Sequence, residues 1–111
     1  MTTEISTTEE KGVTFISIRN GEAEYLIWQF ADDKTESPYF EHYNQINGGY
    51  GVTKAITIDD TGCVVELISG ETEVLNWQWP LFGDIDALIQ LLKDKFGSSA
   101  EVTNAQGFYR K

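Results

Sequence analysis

The feature that most constrains this chain is an Asn-Gly pair at positions 20–21, set between two strand-like runs. Asn-Gly supplies the left-handed backbone that a tight hairpin turn demands, and here it lies in the turn segment RNGE (19–22). Upstream stands GVTFISI (12–18), β-branched and aromatic; downstream stands AEYLIWQFA (23–31). In the second run Leu26, Trp28 and Phe30 alternate with Tyr25 and Ile27. Both faces of that strand are apolar, so it is covered on both sides, or one side meets a partner.

The rest of the chain repeats the pattern of short runs and turns. DDKTESP (32–38) is a polar loop, and YFEHYNQI (39–46) reads as a third strand. Phe40, His42 and Asn44 fall on one of its faces, Tyr39, Glu41, Tyr43 and Gln45 on the other. NGGYG (47–51) breaks the strand, because glycines supply the positive φ angles of turns and bulges. VTKAITI (52–58) follows with Val52, Ile56 and Ile58 inward; DDTG (59–62) turns into CVVELIS (63–69), and GETE (70–73) turns into VLNWQWP (74–80). There Leu75, Trp77 and Trp79 share a face and read as core, and Pro80 ends the ladder. DIDALIQLLKDKFG (84–97) is the one helical pattern. Ile85, Leu88, Ile89, Leu92 and Phe96 repeat at helical spacing, Asp84 is a candidate N-cap and Gly97 a candidate stop. Residues 1–11 are polar and read as a frayed end; residues 98–111 read as a loose tail or a short edge strand. The predicted fold is α+β in a single domain spanning 1–111: a meander of about six antiparallel strands with one C-terminal helix packed on one face.

Charge narrows the function. The chain carries a formal −10, and between Asn20 and Asp86 there are 13 acids against two bases, Lys34 and Lys54. Phosphate contacts need clustered Lys and Arg, so direct nucleic-acid binding is disfavoured and a cationic partner is favoured. No run of 18 apolar residues points to a membrane span, and MTTEISTTEEKG lacks the basic and apolar stretches of a secretory signal. A lone cysteine, Cys63, forms no internal disulfide, and a reducing cytoplasm is the expected compartment.

Catalytic readings are weak. His42 and Cys63 are the only histidine and cysteine; Cys63 opens a β-branched run, where a buried inert thiol is the usual outcome. One His and one Cys, 21 positions apart, do not make a metal site, so neither metal nor cofactor is expected. NGGYG lies between two strand-like runs, whereas phosphate-binding glycine loops lead into a helix. Tyr39, Tyr43 and Tyr50 beside Asp32, Asp33, Glu36 and Glu41 instead compose an acidic, aromatic surface, and Tyr is favoured at interfaces for its large area and polar tip.

A strand ending in FADD, then YFEHYNQINGGYG, then VTKAITIDDTGCVVEL, a Trp-rich strand and IDALIQLLKDKFG make a recognisable order. Over residues 24–97 it resembles the small bacterial immunity proteins of polymorphic-toxin and contact-dependent-inhibition systems, the immunity protein 10 type in particular. Phe40 and Glu41, Gln45 with Asn47, Gly48 and Gly49, and the closing Phe96 and Gly97 carry the likeness. The resemblance implies a non-enzymatic protein that binds a cognate toxin, one-to-one or as a homodimer, and blocks its active site or an essential surface. Many such toxins are nucleases with basic grooves, which an acidic partner can occupy. On that reading Asp32, Asp33, Glu36, Tyr39, Glu41, Tyr43, Asn47 and Tyr50 are the candidate contacts. Two other readings stay open: a phage-type inhibitor or nucleic-acid mimic, and a small-molecule-binding module with a pocket walled by Trp28, Trp77 and Trp79.

Overall fold

A computed structural model describes residues 2–22, 24–33, 36–42 and 48–105. It is α+β and largely sheet, with ten strands in two sheets and one helix among these residues. The strands are β1 (Thr3–Glu10), β2 (Val13–Asn20), β3 (Glu24–Ala31), β4 (Tyr39–His42), β5 (Gly49–Tyr50), β6 (Thr53–Ile58), β7 (Gly62–Leu67), β8 (Thr72–Asn76), β9 (Leu81–Phe82) and β10 (Glu101–Asn104); α1 spans Ile85–Phe96. The larger sheet runs β5-β4-β3-β2-β1-β9 and the smaller β10-β6-β7-β8. Each sheet is antiparallel except at one edge, where β9 joins β1 and β10 joins β6 in parallel. The single six-stranded meander of the sequence reading is therefore replaced by two mixed sheets.

Two corrections have local causes. The segment read as a frayed end holds a full strand, Thr3–Glu10, tied to β2 by a two-residue turn at Lys11-Gly12 with φ values of 53° and 80°. Positive φ at both central residues is the tight-hairpin geometry whose twist matches the strands. Buried Thr3 anchors the strand, its N–H donating to Gln78 O (2.8 Å) while its hydroxyl accepts from Gln78 N (2.6 Å). Nor does Trp79 share the core with Leu75 and Trp77. The β8 ladder stops at Asn76, the backbone leaves for β1 at Gln78, and Trp79 is 64% exposed. Strand alternation has no force past the last ladder pair. The tail does supply an edge strand, β10; residues 106–111 lie outside the described residues.

One core joins the layers. Ile16, Ile18, Leu26, Trp28, Phe30 and Phe40 face it from the larger sheet. Ile56, Ile58, Cys63, Val65, Leu67 and Leu75 face it from the smaller. A bulge between Thr53 and Ala55 shifts the phase of β6, burying Thr53 and Ile56 while Lys54 stays out. Gly62 lies so close to β8 that a Cβ there would sit 2.2 Å from Leu75 O. The helix begins and ends as its sequence signals predict. Asp84 Oδ1 accepts from Ala87 N at 3.1 Å, and Gly97, with φ of 56°, donates to Lys93 O at 3.0 Å. Its apolar stripe (Leu88, Ile89, Leu92 and Phe96) is buried, with Phe96 edge-on to Phe30 at 4.9 Å.

Candidate functional site

With α1 on the inner side, the other face of the larger sheet carries no packed element among the described residues, and its side chains along β2, β3 and β4 are of intermediate burial. Strand register sets three rows across it. The first is Phe82, Glu4, Arg19 and Tyr25; the second Ser6, Ser17, Ile27 and Glu41; the third Thr8, Phe15, Gln29, Tyr39 and Tyr50. Such cross-strand neighbours have Cβ atoms about 5 Å apart, close enough to interact.

Glu41 ties the rows together. Its two carboxylate oxygens accept from Tyr25 OH (2.8 Å) and Tyr39 OH (2.9 Å). The Arg19 guanidinium lies 5.3 Å over the Tyr25 ring, and the Tyr39 and Tyr50 rings meet at 5.1 Å. The Tyr39 phenol is held above its ordinary pKa, chiefly because it donates to the Glu41 carboxylate; desolvation and the nearby negative charge add to the effect. Arg19, Tyr25, Glu41, Tyr39 and Tyr50 thus form a continuous band with a carboxylate at its centre. At the β9 edge Phe82 adds an aromatic ring that is 57% exposed.

Of the candidate contacts, Tyr39, Glu41 and Tyr50 come together in this band. Asp32 and Glu36 lie apart from it, in a groove beside the C-terminal end of α1. There Asp32 accepts from Thr14 Oγ1 (3.3 Å) and faces Lys95 Nζ at 3.8 Å, while Asp33 is exposed on the same loop. Tyr43 and Asn47 lie outside the described residues. Glu4, Arg19, Tyr25 and Phe82 were missed. Arg19 opposite Tyr25 does not follow from a two-residue turn at Asn20-Gly21, which would set Arg19 against Glu22, because Asn20 itself pairs with Glu24; nor does Phe82 have a local signal, because it lies on a parallel edge strand.

Other chemistry is confined to the interior. Cys63 is fully buried and desolvation pushes its thiol pKa up to about 12, so it is protonated and unreactive at neutral pH. His42 Nε2 lies 3.2 Å from Glu73 Oε2, linking β4 of one sheet to β8 of the other. Among the described residues no three His, Cys, Asp or Glu side chains cluster as metal ligands. No helix among the described residues is long and apolar enough to cross a membrane. Trp28 packs against Phe40 at 5.5 Å and Trp77 is buried, its Nε1 donating to Asp59 O (3.0 Å). With Trp79 exposed, the three tryptophans enclose no common pocket among those described. Compared with family models, curated proteins and solved structures, the chain matches none.

Proposed function

We propose that this chain is a non-enzymatic immunity protein that neutralises a cognate toxin by binding it through the outer face of the larger sheet. The observation that carries the reading is the Glu41 carboxylate, fixed by two tyrosine hydroxyls in the middle of an aromatic face that no described element covers. A carboxylate already oriented by neighbours loses little entropy when it meets an Arg or Lys of a partner. Tyr39 and Tyr50 flank it as anchors, and a buried anchor of this type contributes about 2 kcal/mol or more. The −11 charge of the segment between Asn20 and Asp86 speeds encounter with a basic surface.

The test joins capture to toxicity. The tagged protein retains a basic protein from source cells at low salt and releases part of it at high salt. That protein arrests growth when expressed alone, and co-expression of this chain restores growth. Glu41→Arg and Tyr39→Ala weaken rescue while leaving the fold intact. Retention of no protein, or of one harmless by itself, overturns the proposal.

A further inference from the structure

Among the described residues four strands end the two sheets, and three of them are blunted. β5 and β9 are two residues long, and β10 opens on the exposed Glu101. Short or charged edges resist pairing with further strands. β8 (Thr72–Asn76) is the longest of the four, carries no Lys, Arg or Pro, and keeps an unbroken register with β7. Its one charged residue, Glu73, turns inward, where Oε2 lies 3.2 Å from His42 Nε2.

Ladder phase decides where the backbone of β8 points. Leu67 N donates to Glu71 O and Trp77 N to Thr61 O, each at 2.9 Å. The hydrogen-bonded pairs between β7 and β8 are therefore Val65 with Glu73 and Cys63 with Leu75. Thr72, Val74 and Asn76 fall in the alternate pairs, so their N–H and C=O groups point away from β7. Asn76 O accordingly accepts from Asn20 Nδ2 of β2, at 2.8 Å. No described strand pairs with this edge. The three side chains are exposed, Val74 at 52%, and Val74 sits opposite Val64 on the outer face of the smaller sheet.

We infer that this edge pairs with the same edge of a second copy of the chain, antiparallel and centred on Val74. A two-fold axis there sets Val74 against Val74 and Thr72 against Asn76, and each pair exchanges two backbone hydrogen bonds. Asn76 O takes the new bond on its second lone pair. The valines meet on the outer face and carry the Val64–Val74 row on into the copy. Charge favours this occupant. A basic strand finds no outward carboxylate between Thr72 and Asn76, whereas a second copy presents the same uncharged edge. One short strand buries less than the about 1,200 Å² of a standard interface, so the pair is weak, with a Kd of about 0.1 mM. The contact uses the other sheet from the tyrosine band and is independent of the toxin-binding reading.

The experiment is sedimentation equilibrium of the full chain from about 10 μM to about 1 mM, with amide NMR over the same range. Salt at about 0.15 M screens the repulsion between two acidic chains. The average mass rises from monomer toward dimer. The Thr72, Val74 and Asn76 amides shift with concentration, and those of Tyr39, Glu41 and Tyr50 do not. Val74→Lys sets like charges opposite each other at the axis and weakens pairing about tenfold. Val74→Pro removes the N–H at the axis and weakens it at least as much. Residue 74 turns its N–H away from β7 and its side chain outward, so the variants keep the spectrum of the folded monomer, and one folded variant is enough for the test. A chain that stays monomeric to about 1 mM overturns the inference. So does self-association that a folded variant leaves unchanged, or that shifts the tyrosine-band amides in place of those of β8.

Discussion

The two faces of the larger sheet are made by the same strands and follow opposite rules. On the inner face Ile16, Ile18, Leu26, Trp28 and Phe40 are apolar and sealed. On the outer face Arg19, Tyr25, Ile27, Tyr39 and Glu41 are half-buried, and most join through polar tips. Alternation along β3 and β4 assigns each residue to its face, so a substitution on the sealed side costs stability and one on the outer side costs little of it. The lesson is that an aromatic strand is not by itself a core strand; the tyrosine hydroxyls and the carboxylate between them mark the exposed side.

The largest break in this contrast is Trp28→Ala. Removing a fully buried indole costs about 3–5 kcal/mol, a large part of a small domain's stability, and chemical denaturation reads it directly. Gly62→Ala follows, at about 3 kcal/mol, because its methyl would enter the β8 backbone near Leu75 O. Thermal melting of the two variants side by side ranks them.

Asp59 is intermediate. Its carboxylate accepts from Thr61 N (2.8 Å), Thr61 Oγ1 (2.7 Å) and Gly62 N (3.0 Å), and these bonds lower its pKa, the Thr61 hydroxyl first. Asp59→Ala costs about 2 kcal/mol by loss of charge-assisted hydrogen bonds. The folded pKa lies below the unfolded one, so the stabilisation is fully present above the ordinary carboxyl value of 3.8 and is lost as pH falls through the folded value. An acid titration of stability is therefore flatter for the variant than for the parent.

The smallest effect on stability belongs to the outer face: Tyr39→Phe changes it by less than about 1 kcal/mol, the worth of one hydrogen bond to a carboxylate that keeps Tyr25. Its ultraviolet signature is sharper. In the parent the Tyr39 phenol ionises above the ordinary tyrosine range, and the variant lacks it. Cys63 gives the inner-face counterpart, a thiol silent to a disulfide reagent at pH 8 until the chain unfolds.

Much of the fold is legible where the cause is local. Asp84 and Gly97 bound the helix, the Asn20-Gly21 pair marks where the hairpin lies although Asn20 itself stays in the ladder opposite Glu24, and β3 alternates as its residues dictate. What escapes is non-local. The alternation of Thr3, Ile5 and Thr7 is too polar to announce a strand until β2 and Gln78 are beside it. The division into two sheets falls between β5 and β6, where only Gly51 and Val52 intervene and nothing local marks that the two strands do not pair. The site was half legible for the same reason: Tyr39 and Glu41 are neighbours in sequence, whereas Tyr25 reaches Glu41 only through strand pairing.

The bonds between Thr3 and Gln78 have a kinetic consequence. Contacts joining positions 75 apart close the larger sheet, and its last strand, β9, pairs with its next-to-last, the first made. Loop closure over that span is paid in chain entropy before it is rewarded, which places such topologies among the slower two-state folders, in milliseconds to seconds. During synthesis β1 and β2 can form a hairpin early, but the edge of the sheet stays open until Leu81 and Phe82 have emerged. Of the larger sheet's strands, β1 is made before the others and is among the last to be secured.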